Sequence, residues 1–517
     1  MFRRWVTRSM SFWFALLAAI SFAGALSSAS ADIIPIGDVS PSNPSGWTSS
    51  TTGYVGNTGG GTLTVNGGSD LLSSTSYVGY GSTATGVVAV DGAGSTWSTG
   101  YCYVGEGGKG VLSITNGGSV STTLGDIGDL FGSNGLVSVD GAGSKWTETN
   151  HIYLGWYGSG TLSITNGGSV SDGGGLYGGG LDVGYGMSGA GGKLLIAKGG
   201  TLSTLGSTIG YNSPGVAMVD GAGSVWTNTV YSLDIGSGAN GRLSITGGGA
   251  VVADYVDLDL SGHSPILTID IGRGSLLTVG GGTGTIINGT GGTIQLVAGA
   301  GVATDGTKYS PISAGTWGGS GVYKAIGGTW SSTGHTFTAS TVTAGASGSR
   351  VSLNLASVQR ALVDDNGPGG TNWEVGASFV AATSTKNITF TATAMNSTIL
   401  DILRADLPAN ESILSGWTFA TTNYTVSSTN PIYLSFNVGP GHPADKLDLW
   451  HYDGSKWTEY SPTDLTYDGT FASFTATGLS GYAMAAVPEP STFILLSIGF
   501  ISLLGYARRR RAGLAPL

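Results

Sequence analysis

The sequence contains few of the residues from which cytosolic enzymes and metalloproteins build their sites. Cys102 is the one cysteine among 517 residues, so an internal disulfide is excluded. Charged residues make up only 10% of the chain, a composition more typical of extracellular β-rich proteins than of cytosolic enzymes. No two of the five histidines stand at metal-ligand spacing, and we predict no metal site at His151, His263, His335, His442 or His451.

Basic residues are scarce in the body of the chain. Between Asp32 and Val487 there are 14 lysines and arginines against 30 aspartates and glutamates, a net charge of −16. Such a body is repelled by nucleic acid and by anionic lipid, so we predict no nucleic-acid partner. The sequence also lacks a Gly-x-Ser-x-Gly nucleophile in a strand-turn-helix setting, and its Gly-x-Gly strings are interpreted as repeat corners rather than phosphate loops. No cofactor is predicted.

Glycine is abundant, and it recurs within a repeat. The stretch 86–121 returns in similar form at 135–171 and 215–252. Each repeat divides into half-units of about 25 residues, because the aromatic-aliphatic-glycine tripeptide at Tyr77 comes again 26 residues later at Tyr103. Self-similarity at a fixed period indicates a repeat architecture. The Asn-Gly-Gly signature, with its interval of 50 residues, begins at Asn66, Asn116 and Asn166.

Within each half-unit, apolar residues alternate with polar ones, which is the pattern of a strand buried on one face. Leu162 and Ile164 are predicted to point inward in one kind of half-unit, and Val88 and Val90 in the other. Asp-Gly-Ala-Gly and Asn-Gly-Gly stand between strands, where glycine and asparagine tolerate the positive φ of tight corners. We therefore predict an all-β chain with a right-handed parallel β-helix, a solenoid, over residues 32–300, each half-unit forming one coil.

The repeat pattern ends before the C-terminal third of the chain. Its register loosens over residues 301–350, which we interpret as a cap or linker that protects the open edge of the last coil. Residues 351–486 carry short strand-length segments between turn signals and predict a small β-sandwich domain. Its clearest element is a hairpin with Asp453-Gly454-Ser455 at the turn, and we expect core on at least one face of its aromatic residues Trp450, Tyr452, Trp457 and Tyr460.

Residues 1–31 have the three parts of a secretory signal peptide. A basic region contains Arg3, Arg4 and Arg8, residues 12–26 are apolar, and 29–31 form a small-residue cleavage site. We predict cleavage between Ala31 and Asp32 and export of the remainder. A retained membrane anchor is the alternative, which the Ala-Ser-Ala ending disfavours.

The segment 487–511 combines a Val-Pro-Glu-Pro motif, an apolar run over 493–506 and four arginines, in that order. The motif comprises Val487, Pro488, Glu489 and Pro490, and the arginines are Arg508, Arg509, Arg510 and Arg511. This segment resembles the PEP-CTERM sorting signal of bacteria. The resemblance implies recognition by an exosortase-type sorting enzyme, cleavage near Pro-Glu-Pro, and export together with exopolysaccharide. The physical pattern agrees, because it predicts a transmembrane sorting helix whose arginines stay on the cytoplasmic side; a plain tail anchor is the alternative.

The repeats resemble a set that autotransporter passengers share with PEP-CTERM proteins. The resemblance covers about half the chain and implies a β-helix, but it implies no activity. It is carried by the Asn-Gly-Gly turns and by the Val-Asp-Gly-Ala-Gly-Ser motif at 90–95 with Trp97, repeated at Asp140 with Trp146 and at Asp220 with Trp226.

The best catalytic candidates are Asp257 and Asp259. In the segment 256–260 the aliphatic residues alternate inward, so both carboxylates are predicted on one outer face. A β-helical glycosidase needs two carboxyl groups, one to protonate the leaving oxygen and one to activate water. The alternative, which we favour, is that they are solvated charges that protect a late coil against edge-to-edge pairing. Residues near them in the sequence are Asp254, His263, Asp270 and Arg273.

Two recurring residue types have alternative interpretations. The tryptophans either stack sugar rings along the surface of the rod or, as we favour, cover the coil corners, since large aromatics are usually mostly buried; they are Trp97, Trp146 and Trp226. The aspartates either bind calcium or, as we favour, belong to Asp-Gly turns, because the nonapeptide of calcium-binding solenoids is missing; they are Asp91, Asp140 and Asp220.

Two functions of different classes fit these observations. The first is an exported, non-catalytic protein of the cell surface or extracellular matrix, sorted through its tail and associated with exopolysaccharide or adhesion. The second is a β-helical polysaccharide hydrolase or lyase with its site around Asp257 and Asp259. We predict the first, because the repeats are regular, a catalytic set is lacking and the sorting signal is present. Its partners are then an exosortase-type enzyme, the membrane through the C-terminal helix, and an exopolysaccharide.

Overall fold

The computed structural model describes residues 32–486 except 175–179, 187–190, 260–261, 300–304, 365–372, 383–386, 409–410 and 443–445. The chain divides after Ser340 into two compact units. The described part of the first unit is all β apart from two 3-10 turns, Pro44–Gly46 and Gly280–Gly282. The two units are treated separately below.

The first unit is a β-solenoid of about 10 turns built on two long sheets. Adjacent strands in the first sheet are parallel, apart from the initial pair. In coil order, the twelve strands of the first sheet are Asp32–Gly37, Gly60–Asn66, Thr85–Asp91, Lys109–Thr115, Asn134–Asp140, Ser159–Thr165, Gly191–Ala197, Gly215–Asp220, Gly241–Thr246, Ile266–Ile271, Thr293–Ala298 and Val322–Ile326.

The second sheet has sixteen strands, and each longer strand is interrupted partway along its length. Its long strands show register shifts, as between Glu148 and His151, and elsewhere the two halves form separate strands. The main path is Val39–Ser40, Thr52–Val55, Asp70–Val78, Thr96–Val104, Ser119–Ile127, Lys145–Leu154, Ser169–Asp172, Thr201–Thr204, Val225–Ile235, Ala250–Leu258, Leu276–Val279 and Ile312–Ser313. The separate second halves are Leu181–Val183, Ser207–Ile209, Thr285–Asn288 and Thr316–Gly319.

The strand registers confirm that each half-unit of the repeat forms one coil. Gly86, Gly110 and Gly135 lie side by side in successive strands of the first sheet. The predicted inward residues Leu162 and Ile164 are buried, as expected from alternation. The array extends past residue 300, because Val322–Ile326 still pairs in parallel with Thr293–Ala298. A three-stranded antiparallel sheet combines Lys308–Tyr309, which precedes the last coil strands, with Thr336–Ala339 and Gly328–Ser331, which follow them.

The Asp-Gly-Ala-Gly-Ser motif forms a corner that connects neighbouring coils. Gly92 and Gly94 have φ of 88° and 85°, which a residue with a Cβ adopts only with strain. The Ser95 hydroxyl donates to the carbonyl of Asp91 at 2.7 Å and accepts from the amide of Gly68, in the preceding coil, at 3.1 Å. The motif therefore repeats because the corner requires both its glycines and its serine.

The second unit contains two six-stranded sheets that contribute to one hydrophobic core. Phe419 of one sheet contacts Phe436 of the other, with ring centroids 5.7 Å apart. One sheet comprises Val342–Ala346, Arg360–Asp364, Trp373–Phe379, Ile432–Asn437, Phe471–Ala476 and Thr466–Tyr467. The other comprises Arg350–Asn354, Asn387–Ala394, Ser412–Thr422, Gly481–Ala486, Leu447–Tyr452 and Trp457–Tyr460.

The predicted aromatic hairpin is confirmed, since Leu447–Tyr452 pairs in antiparallel register with Trp457–Tyr460. Trp457 is buried and its indole N–H donates to the carbonyl of Ile399 at 3.1 Å. That carbonyl belongs to the one α-helix of the described residues, Ser397–Asp406, which the Asn396 side chain caps. None of the helices in the described ranges is both long and apolar enough to cross a membrane.

Candidate functional site

Several predicted site residues lie outside the described residues. They are the sorting motif Val487, Pro488, Glu489 and Pro490, the arginines Arg508, Arg509, Arg510 and Arg511, the apolar run between them, and Ala31 on one side of the predicted signal cleavage. Asp32, on the other side, begins the first strand of the solenoid.

The repeat tryptophans lie inside the solenoid. Trp97, Trp146 and Trp226 are 1%, 1% and 0% exposed. Each indole N–H donates to a buried hydroxyl on the preceding coil, as Trp146 does to Thr122 Oγ1 at 3.0 Å. The hypothesis that these residues form a sugar-stacking surface is therefore wrong, because their rings belong to the hydrophobic core inside the coils and not to the outer face.

The two candidate catalytic aspartates do not share a strand face. The strand Ala250–Leu258 ends before Asp259, which has a φ of 68°. The Asp259 carboxylate accepts backbone N–H bonds from His263 and Gly291, both at 2.6 Å, so it organises a corner. Asp257 stays on the outer face of the strand, where burial, followed by the charges of Asp234 and Asp259, raises its pKa to about 6.

The neighbouring sequence candidates do not complete a catalytic set around Asp257. Asp254 accepts a hydrogen bond from the amide of Val230 at 3.0 Å in the preceding coil. Asp270 lies in the strand Ile266–Ile271, which belongs to the other sheet. His263 and Arg273 follow in corners outside the strands.

The corner aspartates connect coils through their side chains. Asp91 Oδ1 accepts from Thr115 Oγ1 and Asn116 Nδ2, both at 2.6 Å. Asp140 accepts from the equivalent Thr165 and Asn166, and Asp220 Oδ1 accepts from Thr246. These contacts account for the repeated Asp in structural terms. In the ranges that the structure describes, no group of three or more His, Cys, Asp or Glu side chains is placed to hold a metal ion.

A different set of residues forms a continuous row on the outside of the second sheet. One side chain per coil points outward at the same register position, directly before the aliphatic residue that ends each strand. We call this row the outer column. Its members are Tyr54, Tyr77, Tyr103, Asp126, Tyr153, Asp182, Thr208, Asp234 and Asp257.

The first part of the outer column is a stack of tyrosines. Tyr54 and Tyr77 have ring centroids 5.1 Å apart, and Tyr77 and Tyr103 are 5.0 Å apart, with interplanar angles of 15° and 12°. A second aromatic group surrounds Tyr153, whose ring lies 4.8 Å from that of Trp156 and 4.6 Å from that of Tyr185. Asp126 occupies the single coil between these two groups.

The corner loops next to the outer column expose apolar side chains. Phe131 is 79% exposed, and four further residues of these corners are also exposed: Tyr80, Leu130, Tyr157 and Tyr211. Exposed apolar side chains concentrated at one edge of a protein are typical of a binding surface. This edge therefore combines aromatic, aliphatic and acidic side chains.

Asp126, Glu106 and Asp129 form what we call the acidic notch. Asp126 is only 2% exposed although its side chain is on the outer face, and within the described residues its Oδ1 has no hydrogen-bond partner. Burial is the main reason that the pKa of Asp126 is raised, followed by the charges of Asp129 and Glu106. The pKa of Glu106 is raised to about 8 by burial and then by the adjacent carboxyl group of Asp129.

A second carboxyl pair lies where the longer strands of the second sheet are interrupted. Glu148 and Asp172 are register neighbours on adjacent strands and are almost fully buried. Glu148 accepts from the amide of Asn150, and Asp172 Oδ1 accepts from the amide of Gly174 at 3.0 Å. Burial raises the pKa of both groups, and the nearby charge of Glu148 raises that of Asp172 further.

The sequence carried a signal for the outer column. The tripeptides Tyr-Val-Gly, Tyr-Leu-Gly and Asp-Val-Gly mark its positions at 77–79, 103–105, 153–155 and 182–184. They identified the period of the repeat, but the sequence alone did not show that their first residues are stacked on one outer face.

Comparison with known proteins identifies the tail. Residues 486–511 match the family described as the PEP-CTERM protein-sorting motif. No curated protein and no solved structure matches the chain. The chain therefore carries a PEP-CTERM protein-sorting motif, which indicates an exported protein that an exosortase sorts.

Proposed function

We propose that this protein is a non-catalytic component of the extracellular polysaccharide layer, released to the cell surface when an exosortase-type enzyme cleaves its membrane-anchored precursor. The sorting motif at 486–511 carries the proposal. The solenoid is compatible with it, because a stack of identical coils forms a stiff rod with a long outer surface and few enclosed sites. The net charge of −16 between Asp32 and Val487 favours a neutral or cationic partner over an anionic one.

The alternative function is a polysaccharide hydrolase or lyase that uses Asp257. One observation favours it, since the raised pKa of Asp257, about 6, suits a general acid at neutral pH. The second carboxyl group is the weakness of this alternative. Asp259 is engaged by two backbone amides, which leaves it poorly placed to act as a base or nucleophile.

Export and sorting are tested by expressing the full chain in a bacterium that has an exosortase and in a strain from which it is deleted. We expect a shorter form at the surface or in the medium of the first strain, and only the full-length membrane form in the second. Glu489→Ala is expected to retain the full-length form, whereas Glu459→Ala, at an exposed position in the second unit, is the matched control. Identical processing in both strains would overturn the sorting proposal.

The matrix role is tested on the same purified chain, kept in non-ionic detergent, by sedimentation with exopolysaccharide from the producing strain. We expect the protein to sediment with the polymer without the appearance of new reducing ends. New reducing ends that disappear with Asp257→Asn would establish the enzyme instead. A protein that stays in the supernatant would contradict the matrix role.

A further inference from the structure

The acidic notch lies at the point where the outer column changes from stacked tyrosines to the second aromatic group. Its central residue, Asp126, has Tyr103 on the preceding coil and Tyr153 on the following one. Burying a carboxyl group with an oxygen that lacks a partner costs free energy, because that oxygen has given up its hydrogen bonds to water without replacement. Within the described residues, Glu106 Oε2 is also buried without a partner. Two unpartnered carboxyl oxygens thus lie in one notch.

The chemistry of the notch selects a class of ligand. Carboxyl oxygens that lack donors are satisfied by a group with several N–H donors and a positive charge, which is the description of a primary ammonium group. The neighbouring tyrosine rings add cation–π attraction for the same group. In the described part of the chain these three carboxyl groups are not arranged as a metal site, which also favours an organic cation over a metal ion.

The surroundings of the notch favour a sugar polymer as the carrier of that amine. Phe131 and Leu130 follow Asp129 directly in the corner loop and are exposed, so an apolar sugar face finds partners beside the carboxyl groups. Successive coils repeat outward side chains at about the strand spacing of 4.8 Å. A row with this regular spacing matches an extended chain molecule better than a single compact ligand.

We propose that the outer column binds an amine-bearing polysaccharide lying along the rod, and that one of its protonated amino groups binds at the acidic notch, where Glu106 and Asp129 are partly exposed and Asp126 is buried beside them. This proposal rests on the proposed matrix function and names the class of polysaccharide and the surface that binds it. The acidic charge of the whole body agrees with a polymer that is cationic in part.

The test uses full-length protein in non-ionic detergent and isothermal titration calorimetry at about 0.15 M salt, which screens non-specific attraction. The probes are a glucosamine hexamer and the N-acetylglucosamine hexamer, which differ in the amino groups. Asp126→Asn removes the carboxyl group while keeping the shape of the side chain, and Phe131→Ala removes an exposed ring. Asp70→Asn is the matched control, because Asp70 is an exposed solenoid aspartate outside the outer column and the substitution makes the same exchange of a carboxyl for an amide group.

We expect the glucosamine hexamer to bind at least about tenfold more tightly than the acetylated one, as expected for a charge-assisted hydrogen bond. Asp126→Asn is expected to weaken binding about tenfold or more, Phe131→Ala severalfold, and Asp70→Asn less than about twofold. Equal affinity for the two hexamers, or equal losses with Asp126→Asn and Asp70→Asn, would overturn the proposal. So would equal binding of a lysine hexamer, which would assign the notch to polyamines in general.

The result also separates this inference from the function on which it rests. If the chain sediments with exopolysaccharide and Asp126→Asn does so equally well, the matrix function stands and the notch is excluded as its binding site. If the chain does not sediment at all but binds the glucosamine hexamer in a manner that depends on Asp126, the notch is real and the matrix function fails. Thermal unfolding of Asp126→Asn checks that the variant is folded, and Phe131→Ala tests the same surface at an exposed position where folding is not at risk.

Discussion

A single methyl group at Gly110 is expected to separate neighbouring coils of the solenoid. A Cβ atom at this position would lie 2.1 Å from the amide nitrogen of Gly105 and 2.3 Å from the carbonyl oxygen of Val78. These two atoms are themselves joined by an inter-coil hydrogen bond of 2.7 Å. The methyl group of Gly110→Ala would therefore press on both partners of that bond, and all the atoms that it meets belong to the backbone.

The expected cost follows from two effects. Overpacking that the backbone must absorb costs about 1–3 kcal/mol, and a buried hydrogen bond that is lost costs about the same. We therefore expect Gly110→Ala to destabilise the solenoid by roughly 3–5 kcal/mol, which lowers Tm by roughly 5–15 °C. Thermal unfolding followed by tryptophan fluorescence measures this directly, since three of the tryptophans are buried inside the coils.

Two other glycines separate this steric effect from the general effects of adding a side chain. At Gly60 an added Cβ meets nothing within 4 Å and φ is ordinary, so Gly60→Ala is expected to be neutral or slightly stabilising. At Gly132 the space is equally open but φ is 82°, so Gly132→Ala is expected to cost only the left-handed strain of about 1–2 kcal/mol. If Gly110→Ala is no worse than Gly132→Ala, the close approach of the coils does not control stability and this reasoning is refuted.

Two further predictions concern buried polar groups. Burial raises the pKa of Asp172 and raises that of Asp257 to about 6. Aspartates of the unfolded chain lose their protons at about pH 4, so between this pH and the raised pKa values the folded chain holds protons that the unfolded chain has lost. Their contribution to stability is therefore complete below about pH 4 and declines as pH rises. We expect a lower urea midpoint at pH 8 than at pH 5; this difference between the two midpoints should be smaller in Asp172→Asn and unchanged in Asp70→Asn. A midpoint that increases with pH would contradict the prediction. Trp146→Phe removes the donor to the buried Thr122 hydroxyl and is expected to cost about 1–2 kcal/mol beyond the loss of ring area; part of this should be recovered with Thr122→Val, and strictly additive effects in urea unfolding would argue against the coupling.

Much of the solenoid could be predicted from the sequence because each coil repeats the same local requirements. The 25-residue half-unit, the inward pairs such as Val88 and Val90, and the glycine corners each follow from alternation and turn chemistry. The hairpin at Asp453 was predictable for the same reason, since its turn and both strands lie within one short segment. Local patterns of this kind do not depend on distant parts of the chain.

The orientation of the tryptophans depended on a one-residue choice that the sequence leaves open. Trp97 is the second residue of its strand. A shift of that strand by one residue relative to its neighbours would have turned the ring outward. The inward phase is fixed by the partner column, in which Leu71 and Val120 flank Trp97 on the adjacent coils. Asp259 shows the same limit, because alternation alone does not reveal that the strand ends at Leu258.

The outer column was harder to predict because its members are unevenly spaced along the chain. Tyr77, Tyr103, Asp126, Tyr153 and Asp182 follow one another at intervals of 26, 23, 27 and 29 residues, since corner loops differ in length between coils. Strand pairing removes these differences and brings the five residues into one row. Only register, which is a property of neighbouring coils together, reveals the row.

The glycine contacts and the outer column are two consequences of the same stacking. Because a residue such as Gly110 lacks a Cβ, the coils approach closely enough for an amide of one coil to donate to a carbonyl of the next. That approach sets the interval between outward side chains, and the ring distances of 5.0–5.1 Å between Tyr54, Tyr77 and Tyr103 follow it. A ligand on this surface therefore meets groups at a fixed interval along a rigid axis. Such an arrangement suits a polymer that spans several coils.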